Sequence, residues 1–134
     1  MYIILIKDNN YVASTILVKD PNGRYVFLVR KEEDGYSFPA SQVEPNKTGL
    51  ACVINRLKEL VDIEIEKLEL NELTNAVVDD NRIPLFVFVY EDEELSSPEE
   101  LLIEGSGLSW VHSENIVSTL EQWKISGVPQ FLLI

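Results

Sequence analysis

The sequence predicts a layered domain of mixed class, α+β or α/β, in which helices cover the faces of a sheet. Three observations predict it: two segments read as β-hairpins, two read as helices, and strands and helices follow one another in mixed order. At 134 residues the chain has the length of one domain, taken as residues 1–134, with room for a core that needs no disulfide or structural metal. A hydrophobic share of 46% and a charged share of 25% are those of an ordinary folded domain, so disorder is set aside.

Met1-Tyr-Ile-Ile-Leu-Ile6 is apolar but runs directly into Lys7-Asp8, too short for a membrane span and lacking a signal peptide's basic start. It is expected to be a first strand. Residues 11–19 and 24–30 are rich in β-branched and aromatic side chains and flank Asp20-Pro-Asn-Gly23, where Pro presets one turn angle and Gly accepts a positive φ. That pattern predicts a hairpin. The same logic predicts a second one from residues 65–78 and 83–91 around Asp79-Asp-Asn-Arg82. Between the hairpins, Leu50, Val53, Ile54, Leu57 and Val61 recur at helical spacing, with Thr48 as N-cap and Asn55, Lys58 and Asp62 facing away. Glu91-Asp-Glu-Glu94 with Ser96-Ser-Pro-Glu-Glu100 reads as a solvated surface loop. Residues 107–112 read as a short strand and residues 113–123 as a helix capped by Ser113. The terminal Ser126-Gly-Val-Pro-Gln-Phe-Leu-Leu-Ile134 is expected to cap the core, or else to bury against a second copy in a homodimer.

Charge and cysteine content narrow the setting. A net charge of −12, from 23 acidic against 11 basic residues, repels polyanions and argues against a nucleic-acid binder that works by neutralising phosphates. A small anion could still find a local basic pocket. Cys52 is the only cysteine, which excludes an internal disulfide and fits a reducing compartment, so a cytoplasmic location and no membrane partner are expected. Cys52 itself is expected to be a small core residue, and His112 has no spacing that suggests a metal.

The stretch Gly35-Tyr36-Ser37-Phe38-Pro39, followed by Val43-Glu44-Pro45 and Thr48, together with the order of hairpin, helix and the later Trp110-Val111, resembles the Nudix hydrolase family over roughly residues 11 to 122. The resemblance implies an αβα sandwich with a mixed β-sheet and two or three helices. It also implies a Mg²⁺- or Mn²⁺-dependent hydrolase of a nucleoside diphosphate linked to another moiety. The family signature is Gly, five residues, Glu, seven residues, Arg-Glu-U-x-Glu-Glu-x-Gly-U, with U aliphatic. Laid without gaps on this chain it falls on Ser41, Lys47, Asn55, Arg56, Leu57, Glu59, Leu60, Asp62 and Ile63, and only Leu57, Glu59 and Ile63 agree.

The departures are of two kinds. Asn46 and Asp62 stand where the family has glycines, and both types tolerate a left-handed backbone, so both turns are expected to survive. Ala40 and Ser41 replace the Gly-Gly pair that admits a ligand closely, so that loop is expected to be re-shaped. The chemical positions fare differently. At about 100° per residue, Cys52, Arg56, Glu59, Leu60 and Ile63 share one flank of the helix. By the resemblance that flank carries metal carboxylates. It offers one, Glu59, with Arg56 three residues earlier where a helical ion pair would form, and Lys47 replaces another acid nearby. Two unit charges about 4 Å apart interact by about 4 kcal/mol at an effective dielectric of about 20, and a divalent ion doubles that. Exchanging attraction for repulsion at one position therefore costs orders of magnitude in Mg²⁺ affinity.

Three functions are weighed on this basis. The first is a catalytically silent Nudix-like domain, a binding or regulatory module without cofactor, for a small phosphorylated ligand or a protein partner. Arg30, Lys47 and Arg56 would supply the positive charge, with Glu44 and Glu59 beside them. Ordinary surface bases paired with carboxylates stand as the plain alternative. The second is an active hydrolase in which Glu44 and Glu59 hold Mg²⁺ or Mn²⁺, joined by Asp79, Asp80 or Glu104. The third is an interaction module with no ligand, a homodimer being one form of it.

Overall fold

The computed structural model describes residues 11–32, 35–78, 81–112 and 123–125. Its centre is β1 (Tyr11–Lys19), buried on both faces except at its two ends. Val12, Ile16 and Val18 point to one face and Ala13 and Leu17 to the other, as the two-residue repeat of a strand requires. Thr15 is fully buried among them, and its hydroxyl donates to the Leu28 carbonyl at 2.8 Å. A buried hydroxyl paired in this way carries no desolvation penalty without return.

The first hairpin forms as expected, joining β1 to β2 (Tyr25–Glu32) in antiparallel register with Leu17 opposite Phe27. Gly23 takes φ 80°, and the Asp20 carboxylate accepts from the backbone N–H groups of Asn22 and Arg24, both at 2.9 Å. Beyond residues 25–27 the two strands diverge. Into the gap runs the segment of β3 (Gly35–Ser37), which pairs with the end of β2, and β4 (Ala40–Gln42), which pairs with the start of β1. Phe38 between them is buried against Phe27, ring centroids 6.1 Å apart and planes tilted by 54°, within the range of a favourable aromatic pair. The Pro39 carbonyl accepts from Ser14 N–H at 2.9 Å.

The helix α1 (Gly49–Leu60) lies on one sheet face, and the chain then returns through a 3₁₀ turn (Ile65–Lys67) into β5 (Leu68–Val78) and β6 (Asn81–Tyr90). These two strands form the second expected antiparallel pair, with a bulge at Asn71. The strand begins at Leu68 rather than Ile65, because Ile65–Lys67 turns on the Lys67 N–H to Glu64 carbonyl bond. β6 joins β1 in parallel, which makes the sheet mixed. β7 (Leu108–His112) pairs with the far edge of β2, and β8 (Trp123–Ile125) with the end of β5. The path of the sheet is β3-β2-β1-β6-β5-β8, with β4 on β1 and β7 on β2.

Two cores result. Under α1, Val53, Leu57 and Val61 pack with Ile16, Leu28, Phe86 and Phe88; on the opposite face Leu17, Phe27, Phe38, Leu85 and Val87 pack together. The mixed sheet and helix-covered face agree with the expected class. The second helix, expected from Ser113, falls outside the described residues up to Trp123, which itself is in a strand. The expected first strand, the Asp79-Asp80 turn and the apolar tail also lie outside them. The acidic stretch departs from the solvated loop expected of it. Pro98–Leu101 is a 3₁₀ turn closed by a capping box of Ser97 and Glu100, and it buries Pro98 and Leu101. Among the described residues no helix is long and apolar enough to cross a membrane.

Candidate functional site

The loop into α1 is set by local backbone chemistry. Asn46 takes φ 69°, the left-handed region where the family pattern has glycine; Asp62, expected to do the same, does not, since no other described non-glycine residue has positive φ. Thr48 caps the helix, its Oγ1 accepting from Ala51 N–H at 3.0 Å. A further tie holds the loop to the helix: Glu44 N–H donates to the buried Cys52 Sγ at 3.4 Å. Cys52 is therefore the core residue expected, with an added role that the sequence does not signal. Gly49 packs closely on β1: a Cβ there would sit 3.2 Å from Val12 Cγ1, a tight contact that the valine side chain would have to relieve by shifting.

The outer flank of the helix carries two local ion pairs. Lys47 Nζ lies 3.1 Å from Glu44 Oε2, and Arg56 Nη1 lies 3.0 Å from Glu59 Oε1. All four side chains are substantially exposed, so each pair contributes about 0.2–1 kcal/mol. Leu60, where the signature has an acid, is 8% exposed and belongs to the core. Leu50 departs from expectation in the other direction: assigned to the core stripe, it is 37% exposed, since it lies in the first turn, beyond the contact made by Gly49.

Arg30 stands near the end of β2, half-buried, in register with Ser37 on one side and Leu108 on the other. It has no ion-pair partner among the described residues. The structure thus brings Glu44 to Lys47 and Arg56 to Glu59, and no hydrogen bond or ion pair links these two pairs to each other or to Arg30. Glu104 is exposed on a separate loop, and Asp79 and Asp80 lie outside the described residues. Among the described residues no three His, Cys, Asp or Glu side chains come together as metal ligands. Ala40 and Ser41 are built into β4, opposite Ala13 and Val12.

Sequence reasoning missed the tie that follows the helix. Asp92, read as one acid of a solvated run, lies 3.1 Å from Lys67 Nζ, which also pairs with Glu64. The Glu94 backbone N–H and Lys67 hold the Asp92 carboxyl below the usual aspartate range. Glu64 and Asp92 together hold the Lys67 ammonium above the usual lysine range. No spacing rule marks this contact, because its partners come from different elements.

No family model matches the chain, and no curated protein sequence matches it. Solved structures do. An Ap4A hydrolase of C. elegans in a binary complex aligns at 14% identity over 83% of this chain and 85% of that one, with a TM-score of 0.58. The Nudix hydrolase RenU of M. smegmatis aligns at 11% identity over 96% and 82%, with a TM-score of 0.59. The Nudix domain of NrtR from Shewanella oneidensis, solved with ADP ribose, aligns at 8% over 81% and 75%, with a TM-score of 0.53. At such identities the likeness is one of fold, and that fold is Nudix-like.

Proposed function

We propose that this Nudix-fold chain is a binding module for a small phosphorylated ligand, held by basic side chains rather than through a divalent cation. The observation that carries the proposal is the Arg56–Glu59 pair: the flank's single signature carboxylate is already engaged by a guanidinium standing where another carboxylate would be. Mg²⁺ takes several hard oxygen ligands and a near-octahedral shell. A buried leucine, a thiol that already accepts a hydrogen bond, and one carboxylate shared with an arginine do not fit it.

The same residues suit an anion. Exposed ion pairs are weak, whereas charge-assisted bonds from arginine to phosphate are among the strong ones, so phosphate can displace Glu59 from Arg56 and Glu44 from Lys47. Arg30, already without a carboxylate partner among the described residues, needs no such exchange. The neighbour solved with ADP ribose makes that compound a reasoned probe.

Calorimetric titration with ADP-ribose, in Mg²⁺ and in EDTA, tests the reading. Equal affinity in both is expected, with a loss of at least tenfold in Arg30→Ala and in Arg56→Ala, the scale of a charged hydrogen bond. Binding that requires Mg²⁺, or turnover of a nucleoside diphosphate derivative that disappears in Glu59→Gln, would overturn it in favour of a hydrolase.

A further inference from the structure

About 20 Å along β1 from the helix start, at the strand's other end, the structure holds a second concavity. It is an open pocket of about 210 Å³ between the ends of β1, β2 and β6 and the turn that follows β6. Ligand pockets of drug size run to about 300–1,000 Å³, so this one suits only a small molecule. Val18, Val89 and Leu95 give it apolar walls, and the Tyr25 ring forms one side.

Its charges are arranged unevenly. Lys19 Nζ sits over the Tyr25 ring, 5.6 Å from the centroid, within the range of attraction between a cation and an aromatic face. Glu91 and Glu93 also line the pocket, both exposed, and neither has an ion-pair partner among the described residues. Asp92 is different, being held by Lys67. The lysine thus covers the aromatic face of a pocket whose lining also includes two carboxylates without ion-pair partners among the described residues. Its ammonium is tethered only by a flexible exposed stem, and another cation can replace it there without breaking an ion pair.

We propose that this pocket binds a small organic cation, an ammonium group on an apolar body, which displaces the Lys19 ammonium from the Tyr25 ring. The apolar body packs on Val18, Val89 and Leu95, and Glu91 and Glu93 set the sign of charge accepted. The site is separate from the phosphate reading and stands or falls without it.

Chemical-shift titration of the intact chain with benzylamine, benzyl alcohol and benzoate provides the test. Benzylamine is expected to move the resonances of Tyr25 and Val89 and to bind more tightly than either comparator. Lys19→Met removes the internal competitor and is expected to tighten benzylamine by about 2- to 5-fold, the range of an exposed cation–aromatic contact. Tyr25→Leu is expected to weaken it by a similar factor and Tyr25→Phe to preserve it. The double change Glu91→Gln/Glu93→Gln should weaken benzylamine and leave benzyl alcohol unchanged. Unchanged or weaker benzylamine binding in Lys19→Met would overturn the proposal, as would benzoate binding as well as the amine. Should Tyr25→Leu fail to fold, Lys19→Met and the glutamine pair decide the matter.

Discussion

At its start α1 is held by residues close to it in the chain: Asn46 in the left-handed turn, Thr48 as the cap, and Glu44 tied to Cys52. At its end it is held by residues far away in the chain. Val61 forms a bridge with Leu102, Asp62 N–H donates to the Leu101 carbonyl at 2.8 Å, Glu64 N–H donates to the Tyr90 hydroxyl at 3.0 Å, and Lys67 reaches Asp92. By the resemblance, each end carries a residue, Asn46 at the first and Asp62 at the second, where the family has a glycine. At the first, asparagine reproduces the glycine's backbone conformation; at the second, Asp62 does not, and the helix leaves through an extended Val61, φ −134° and ψ 152°, stitched to a distant loop. The start of the helix is thus kept in place by local backbone chemistry and its end by tertiary contacts.

Removing the distant support should cost most. Leu101→Ala deletes a side chain that is 3% exposed beneath the helix end and is expected to destabilise by about 2–5 kcal/mol in urea denaturation. A cost below 1 kcal/mol would show that the helix end does not depend on that loop. At the other end, Asn46→Val forces a β-branched side chain into positive φ and should cost about 1–2 kcal/mol, while Asn46→Gly should be neutral or slightly stabilising. Equal losses in both variants would mean that the Asn side chain, not the backbone, matters there.

The Lys67–Asp92 contact gives the distant support a pH signature. The Asp92 carboxyl is held down by the Glu94 backbone N–H and by Lys67, so the stability it contributes is fully present above the ordinary aspartate range and is lost as pH falls from there through its lowered folded-state pKa. Lys67 is held up, so its contribution is present at neutral pH and fades only at strongly alkaline pH. Asp92→Asn should therefore lower the thermal midpoint at neutral pH and flatten its decline in acid. An unchanged acid limb would remove this contact from the account.

The same contrast explains what was legible in the sequence. β1, the first hairpin, the Thr48 cap and the left-handed Asn46 follow from periodicity, turn chemistry and capping, all rules that act within a few residues. The 3₁₀ turn at Pro98–Leu101, the exposed Leu50 and the Asp92 partner follow from which elements meet, and no short window encodes that. The site divides likewise. The Arg56–Glu59 pair was readable as an i,i+3 spacing, whereas the pocket at Lys19 and Tyr25 needs residues from three strands and the turn after β6.

The smallest expected effect bears most directly on what the helix flank is for. Arg56 and Glu59 are 37% and 67% exposed, and their pair spans one helical turn. Helical pairs contribute about 0.2–0.5 kcal/mol, and the order with the base preceding the acid is the weaker one. The negative end of the helix dipole disfavours Glu59 near the C-terminus, offsetting part of even that. Arg56→Gln should thus change stability by less than about 0.5 kcal/mol in urea denaturation. Loss of ADP-ribose binding in the same variant would place Arg56 in ligand recognition rather than in holding the fold. A stability loss above about 1 kcal/mol would instead make the pair a structural clamp, leaving the guanidinium unavailable to phosphate.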